Sequence, residues 1–402
     1  MIKTPILPIE RTFHNSARSG NANVVIYAQV DGPYDREVLT RAIASCLESY
    51  PRLRSRIDGD SFVTVEGANH IFLEDVAPET DSDEVITDLV NDSSITATHL
   101  SKFLVRRLDP SGFELFVVVS HAICDIVSLV GLVHVLLAEM AFFQTGNKPE
   151  EAPVSTGRIF DSGPVTMAQR LEFWRHVVEK NTIERFALPP KRTRERKTIY
   201  VRRKIEFRVP AASPSQYNAN HWLTACFIKA YASRLKSPNL ATMVFANIRS
   251  FQDGVTSPDF VSCRISMLHA FQTVRSDTPP VDIATDFARQ IRHRMKENWH
   301  KLVRDSSSSI PILLDRLGMD CSATLNVSFA TDLPSETTVG CYRIVDMRTA
   351  ASLNNVSAPI SLTVMTFEGY RYLHVVAKAA YFSKEDLGAL VDESLELASH
   401  AP

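Results

Sequence analysis

F-E-L-F-V-V-V-S-H-A-I-C-D-I-V-S-L-V-G-L-V-H-V-L-L-A-E-M-A-F-F, residues Phe113 to Phe143, joins two apolar runs through a short polar turn. The first run, Phe113 to His121, is apolar at successive positions, the pattern of a strand buried on both faces inside a sheet. The second, Ile126 to Phe143, is barely long enough to span a bilayer, and His134 and Glu139 interrupt it. A buried core helix is the better reading. Between the two lies S-H-A-I-C-D-I-V-S, Ser120 to Ser128. A histidine at the end of a buried strand can present its ring at a sheet edge or a domain boundary. Asp125, four residues on, can cap the helix and hold the turn rigid, and rigid placement is what a general base needs. Taken alone the H-x-x-x-D pattern is weak, because it arises often by chance and a histidine beside a core strand is more often a satisfied structural residue.

The chain on either side mixes strands and helices. Ala22 to Val30 (A-N-V-V-I-Y-A-Q-V) reads as a strand that stops at the turn signal Asp31-Gly32-Pro33. Asp35 then caps a helix whose apolar residues Val38, Leu39, Ile43 and Leu47 recur at helical spacing and which ends before Pro51. Short strands follow near Phe62 to Val65 and Phe103 to Leu108. The turn-rich, aperiodic segment from Gly146 to about Pro164 marks a domain boundary, and a helix around Gln169 to Lys180 completes the linker. Later strands fall near Ile205, Met243 to Ile248, Arg264 to Leu268 and Leu325 to Phe329. A hairpin runs from Ile360 through Glu368-Gly369 to Ala377, and a last helix starts at Ser383 with Asp386 completing a capping box. The expected organisation is an N-terminal domain over 1–160, a linker or crossover over 161–200 and a C-terminal domain over 201–402.

Composition narrows the function. The 402 residues carry 44 Lys plus Arg against 46 Asp plus Glu, a formal charge of -2, with 22% charged and 45% hydrophobic residues. This is the profile of a globular chain whose length means two domains or one unusually large one, since single cores stop growing at roughly 250 to 300 residues. Wholesale disorder and a strongly basic nucleic-acid binder are excluded. Six cysteines are scattered singly, with no C-x-x-C pair and no zinc-type spacing, so neither a disulfide scaffold nor a metal site is expected. The N-terminus acquires charge before any apolar run reaches signal-peptide length, and a cytoplasmic setting is the expectation. G-x-S-x-G, G-x-x-x-x-G-K-S/T, G-x-G-x-x-G and H-E-x-x-H are all missing, which removes the usual support for serine hydrolases, nucleotide hydrolases, Rossmann dehydrogenases and zincins.

Several segments together resemble the superfamily of chloramphenicol acetyltransferase, condensation domains of non-ribosomal peptide synthetases, BAHD acyltransferases and polyketide-associated acyltransferases. His121 and Asp125 match its H-x-x-x-D motif. Val30 to Ile57 looks like its opening strand, helix and "hP-x-LR" turn, Val244 to Ser250 (V-F-A-N-I-R-S) is similar to its "N-x-R" strand, and Ser361 to Val376 to its final hairpin. The family motif is commonly H-H-x-x-x-D-G; here Ser120 precedes the histidine and Ile126 follows the aspartate. The D-F-G-W-G motif of plant BAHD enzymes is missing, which moves the chain toward the polyketide-associated and condensation-like branch, or toward a divergent fungal or bacterial relative.

The resemblance implies an α/β (α+β) protein of two chloramphenicol acetyltransferase-like domains, each a mixed sheet with flanking helices, with an active-site channel between them. It implies acyl transfer from a CoA or acyl-carrier-protein thioester to a hydroxyl, less readily an amine, of a small-molecule, lipid or polyketide acceptor. His121 would be the general base, with no cofactor beyond the acyl-CoA or acyl-phosphopantetheine co-substrate. Asp125 would be structural, pairing with Arg249, and Asn326 and Ser328 in L-N-V-S-F would be the candidates for oxyanion or substrate binding. The different-class alternative is a catalytically inactive condensation-like module that binds acyl groups or a carrier protein. Cys124 invites a nucleophile reading, but an inert buried thiol is commoner, and His134 reads as packing. Lys191 to Arg208 holds nine basic and two acidic residues; it could attract the phosphates of coenzyme A or an acidic carrier protein, or be a solvated strand. Nucleic acid is not an expected partner, no transmembrane segment is expected, and a monomer is.

Overall fold

The computed structural model describes residues 3–17, 21–65, 73–95, 99–108, 111–147, 165–178, 187–209, 216–247, 260–306, 321–330, 337–353 and 357–400. Two six-stranded mixed sheets dominate it. The motif strand, Phe113–Ser120, lies inside the first sheet between Asn23–Asp31 and Ser101–Arg107, both antiparallel to it, and all eight of its residues are buried. Leu73–Asp75 adds a short parallel edge strand beyond Ser101–Arg107. The second sheet runs Ile265–Thr273, Asn239–Asn247, Leu325–Ala330, Ile360–Phe367, Tyr370–Lys378, Thr198–Ile205. Leu325–Ala330 is parallel to both neighbours and so sits centrally, its even-numbered polar residues directed to one face.

The local signals acted as expected in several places. Asp35 accepts hydrogen bonds from the Glu37 and Val38 amides and starts the helix Arg36–Ser49, which stops before Pro51. Glu368 and Gly369 take positive φ (47° and 78°) at the tip of the Ile360–Phe367/Tyr370–Lys378 hairpin, the geometry a two-residue turn needs. Ser383 and Asp386 close a reciprocal capping box on the helix Lys384–Ser399. The motif helix, Ile126–Thr145, has the length and composition of a membrane span, yet packs against the first sheet and the Arg36–Ser49 helix, with residues buried all round its axis. His134 Nδ1–H donates to Val130 O, 2.8 Å away, within that packing.

One strand departs from the expected division of the chain. Tyr342–Ala351, from the second half of the sequence, pairs antiparallel with Asn23–Asp31 and brings Thr338–Val339 with it, so residues 338–351 complete the first sheet. A boundary at 161–200 therefore separates the two sheets only if this returning strand is assigned to the N-terminal one. Gly32, at φ 144°, admits the crossing closely: a Cβ there would lie 2.6 Å from the Tyr342 ring. Phe260 and Val261 likewise belong to the hydrophobic core of the first half.

Candidate active site

The motif turn is built from both halves of the chain. After Ser120, His121 N–H donates to Ala22 O (2.6 Å), and the Ala122 amide donates to Ser120 Oγ (3.3 Å). Ile126 is simply the first residue of the helix, and Asp125 is its N-cap, accepting at Oδ1 from Ser128 N–H (2.9 Å). Oδ2 of the same carboxylate accepts the backbone N–H of Arg264 (2.9 Å), 139 positions away. Ser128 Oγ lies 3.1 Å from Phe260 O and 3.0 Å from Ser262 O. These contacts pin the start of the motif helix to the 260–264 segment. Arg249, the expected partner of Asp125, lies outside the described residues.

His121 itself is held face to face with Phe13, ring centroids 4.0 Å apart and planes 6° from parallel. Its Nδ1 is 3.9 Å from Cys263 Sγ. Burial lowers the imidazole pKa below its ordinary value, while the Asp125 carboxylate and the backbone carbonyls of His121 and Cys124 pull it up. The net shift is downward, so the ring is neutral at pH 7 and has a lone pair to accept a proton. Cys124 is buried and within 3.5 Å of the Asp125 carbonyl, and it does not line the cavity that His121 faces.

That cavity, about 820 Å³ of empty space including its open part, lies between the two halves. From the first half come Phe13, His121, Asp125, Ile126 and Val127; the second contributes Asn326, Ser328 and Phe329 among others. His121 and Asn326, far apart in sequence, thus face one space. Asn326 is 2% exposed, and its Oδ1 is buried with no hydrogen-bond partner among the described residues. Among the described residues no group of His, Cys, Asp and Glu is placed to hold a metal ion.

Phe13 and Cys263 were not legible as site residues. Phe13 lies on the helix Pro8–Ala17, which the Glu10–Arg52 ion pair, buried at both ends, fastens to the Pro51–Arg54 turn. Apolar residues with no motif around them carry no sign of the histidine they will touch. The basic run is partly consumed by the fold: Arg192 pairs with Asp386, Arg203 with Asp392 and Arg202 with Asp346.

The architecture is that of the chloramphenicol acetyltransferase-like fold: two mixed-sheet units, a cavity between them and the H-x-x-x-D turn on its wall. Solved structures of that fold align over almost the whole chain. TRI3 trichothecene 15-O-acetyltransferase from Fusarium sporotrichioides matches with a TM-score of 0.74 at 10% identity, covering 99% of this chain and 95% of its own. The first condensation domain of the calcium-dependent antibiotic synthetase, in complex with a substrate analogue, gives 0.74 at 14% identity over 100% and 98%. A mutant starter condensation domain of rhizomide synthetase, in complex with C8-CoA and Leu-SNAC, gives 0.70 at 13% identity over 99% and 95%. No family model matches the sequence, and no curated protein sequence does.

Proposed function

We propose that this protein transfers an acyl group from a coenzyme A or carrier-protein thioester to a hydroxyl of a small-molecule acceptor, with His121 as general base. The observation that carries the reading is the cavity wall itself: a neutral, ring-stacked histidine faces a space lined by both halves, with Asn326, whose buried Oδ1 has no partner among the described residues, on the same space. In the proposed reaction His121 takes the proton of the acceptor hydroxyl as the oxygen attacks the thioester carbonyl. The tetrahedral oxyanion is stabilised by a hydrogen-bond donor, for which Asn326 and Ser328 are the candidates. Collapse expels the thiolate, and His121-H⁺ returns the proton to it. Atoms and charge balance without an acyl-enzyme, a metal or a redox cofactor.

Acyl-CoA supplied with a panel of alcohols tests this by release of free thiol. His121→Ala is expected to keep the melting temperature and lose about 100-fold or more in turnover, the scale of acid-base catalysis. Cys124→Ser is expected to keep most of the activity. An acylated Cys124 seen by intact mass, with activity lost in the serine variant, would overturn direct transfer. Equal and negligible thiol release by the parent and His121→Ala across the panel would instead identify an inactive module that binds acyl groups or a carrier protein.

A further inference from the structure

Facing His121 across the cavity is a polar patch that catalysis at one carbonyl does not need in full. Leu325–Ala330 and Ile360–Phe367 are parallel neighbours, with Asn326 opposite Ser361 and Ser328 opposite Thr363. All four line the cavity. Parallel register puts them on one face as a rectangle, about 5 Å across the strands and about 7 Å along them. Among the described residues the buried Asn326 Oδ1 has no hydrogen-bond partner, and the hydroxyls of Ser328, Ser361 and Thr363 belong to half-buried residues on the same wall. A buried acceptor left without a partner is costly unless a ligand meets it, and three half-buried hydroxyls beside it are free to meet the same ligand.

The rest of the lining restricts what that ligand is. Among the described residues it contains no lysine, arginine or glutamate, and both oxygens of Asp125, the one carboxylate among them, already accept backbone N–H groups. An ionised substrate would lose hydration here with no opposite charge to receive it. Phe13, Phe245, Ile265, Phe329 and Leu353 make most of the remaining described wall apolar, Ser352 and Ser357 being its other polar residues.

We infer that Asn326, Ser328, Ser361 and Thr363 form the acceptor subsite for an uncharged alcohol bearing at least two further neutral oxygen functions on one face and an apolar opposite face. Ser361 and Thr363 determine specificity, by hydrogen-bonding oxygens remote from the reacting hydroxyl. The inference rests on the acyl-transfer reading only in calling this ligand the acceptor.

Three alcohols on one bicyclic carbon frame test it: the mono-alcohol, a neutral triol and the ionised hydroxy acid, each titrated calorimetrically into the protein at pH 7.5. The parent is expected to bind the triol roughly tenfold or more tighter than the mono-alcohol, as two extra hydrogen bonds provide, and to bind the hydroxy acid least. Ser361→Ala with Thr363→Val should bind the triol and the mono-alcohol alike while keeping the parent's affinity for the mono-alcohol, which also reports an intact cavity. Thr363→Ser, retaining the hydroxyl, should keep the preference. The inference is overturned if the parent shows no preference for the triol, if it binds the hydroxy acid best, or if the double variant keeps the preference. Thiol release from acetyl-CoA with the same alcohols is read separately. A triol preference that the double variant abolishes, without any thiol release, would sink the acyl-transfer reading and leave the subsite standing.

Discussion

His121 was marked in the sequence by its place, the junction of a fully buried strand and a largely buried helix, and the structure puts it on the cavity wall. What holds its ring was not legible, because Phe13 reaches it from a helix 108 positions earlier whose docking is decided by tertiary packing. The parallel stack at 4.0 Å closes one face of the imidazole and confines its rotation. Phe13→Leu keeps an apolar side chain and removes the stack. An aromatic pair contributes roughly 0.5 to 1.5 kcal/mol beyond burial, so turnover should fall about 2- to 12-fold with KM changing less. The larger opening also readmits water to the ring, so its depressed pKa should rise and the acid limb of kcat/KM should move to higher pH. An unchanged pH profile in Phe13→Leu would mean that the stack does not set the state of the base.

At the scale of elements, the turns and caps were the readable part, since each is decided by one or two residues: Asp35, Glu368-Gly369 and Ser383 with Asp386 all act where they stand. Tyr342–Ala351 was not readable. Its sequence, Y-R-I-V-D-M-R-T-A-A, mixes charged and apolar residues without strict alternation, and only the open edge of a distant strand gives it a partner. The Asp125 turn lies between these cases: its capping was expected, its attachment to Arg264 N–H was not. Asp125→Ala would strand the amides of Ser128 and Arg264, and each buried hydrogen bond lost to a charged acceptor costs about 1.5 to 3 kcal/mol. Denaturant unfolding should therefore show a loss of about 3 kcal/mol or more. Asp125→Asn retains one acceptor oxygen and should recover roughly half of it. Arg264→Ala keeps the backbone donor and should leave the turn ordered. A stability for Asp125→Ala equal to the parent would show that the turn is not held this way.

Across the whole molecule, burial keeps several histidines neutral. His221 and His269 are pushed down to about 4 and His374 well below the ordinary 6.5, with His121 lowered as well. Nearby cations add to burial for three of them: Arg292 for His221, Arg294 for His269, and Arg202 and Arg348 for His374. In the unfolded chain these rings take up protons near pH 6.5, whereas in the folded protein His221, His269 and His374 do so only at much lower pH and His121 at lower pH. The unfolded state therefore binds more protons between about 6.5 and 4, and stability is full above that window and falls through it. Glu10, its pKa raised chiefly by burial, works in the opposite direction over its own range. Summed, the histidines should remove at least about 3 kcal/mol between pH 6.5 and pH 4. Urea midpoints measured at pH 7.5 and pH 4.5 check it, and equal midpoints would mean the rings titrate as if exposed.

The returning strand sets a clock on how this protein is made. Val24 faces Ala351 and Asp31 faces Arg343 across the first sheet, and the Asn23 amide donates to Ser352 Oγ. A chain leaving the ribosome N-terminus first emerges with the outer edge of Asn23–Asp31 bare, and that edge stays bare until nearly all of the second half has followed. Contacts this distant in sequence form slowly, and an unpaired edge is a template for other chains in the interval. The sheet that carries His121 is thus closed only after most of the chain has been made, and translation that stalls before residue 351 would release a chain with His121 present and that sheet still open.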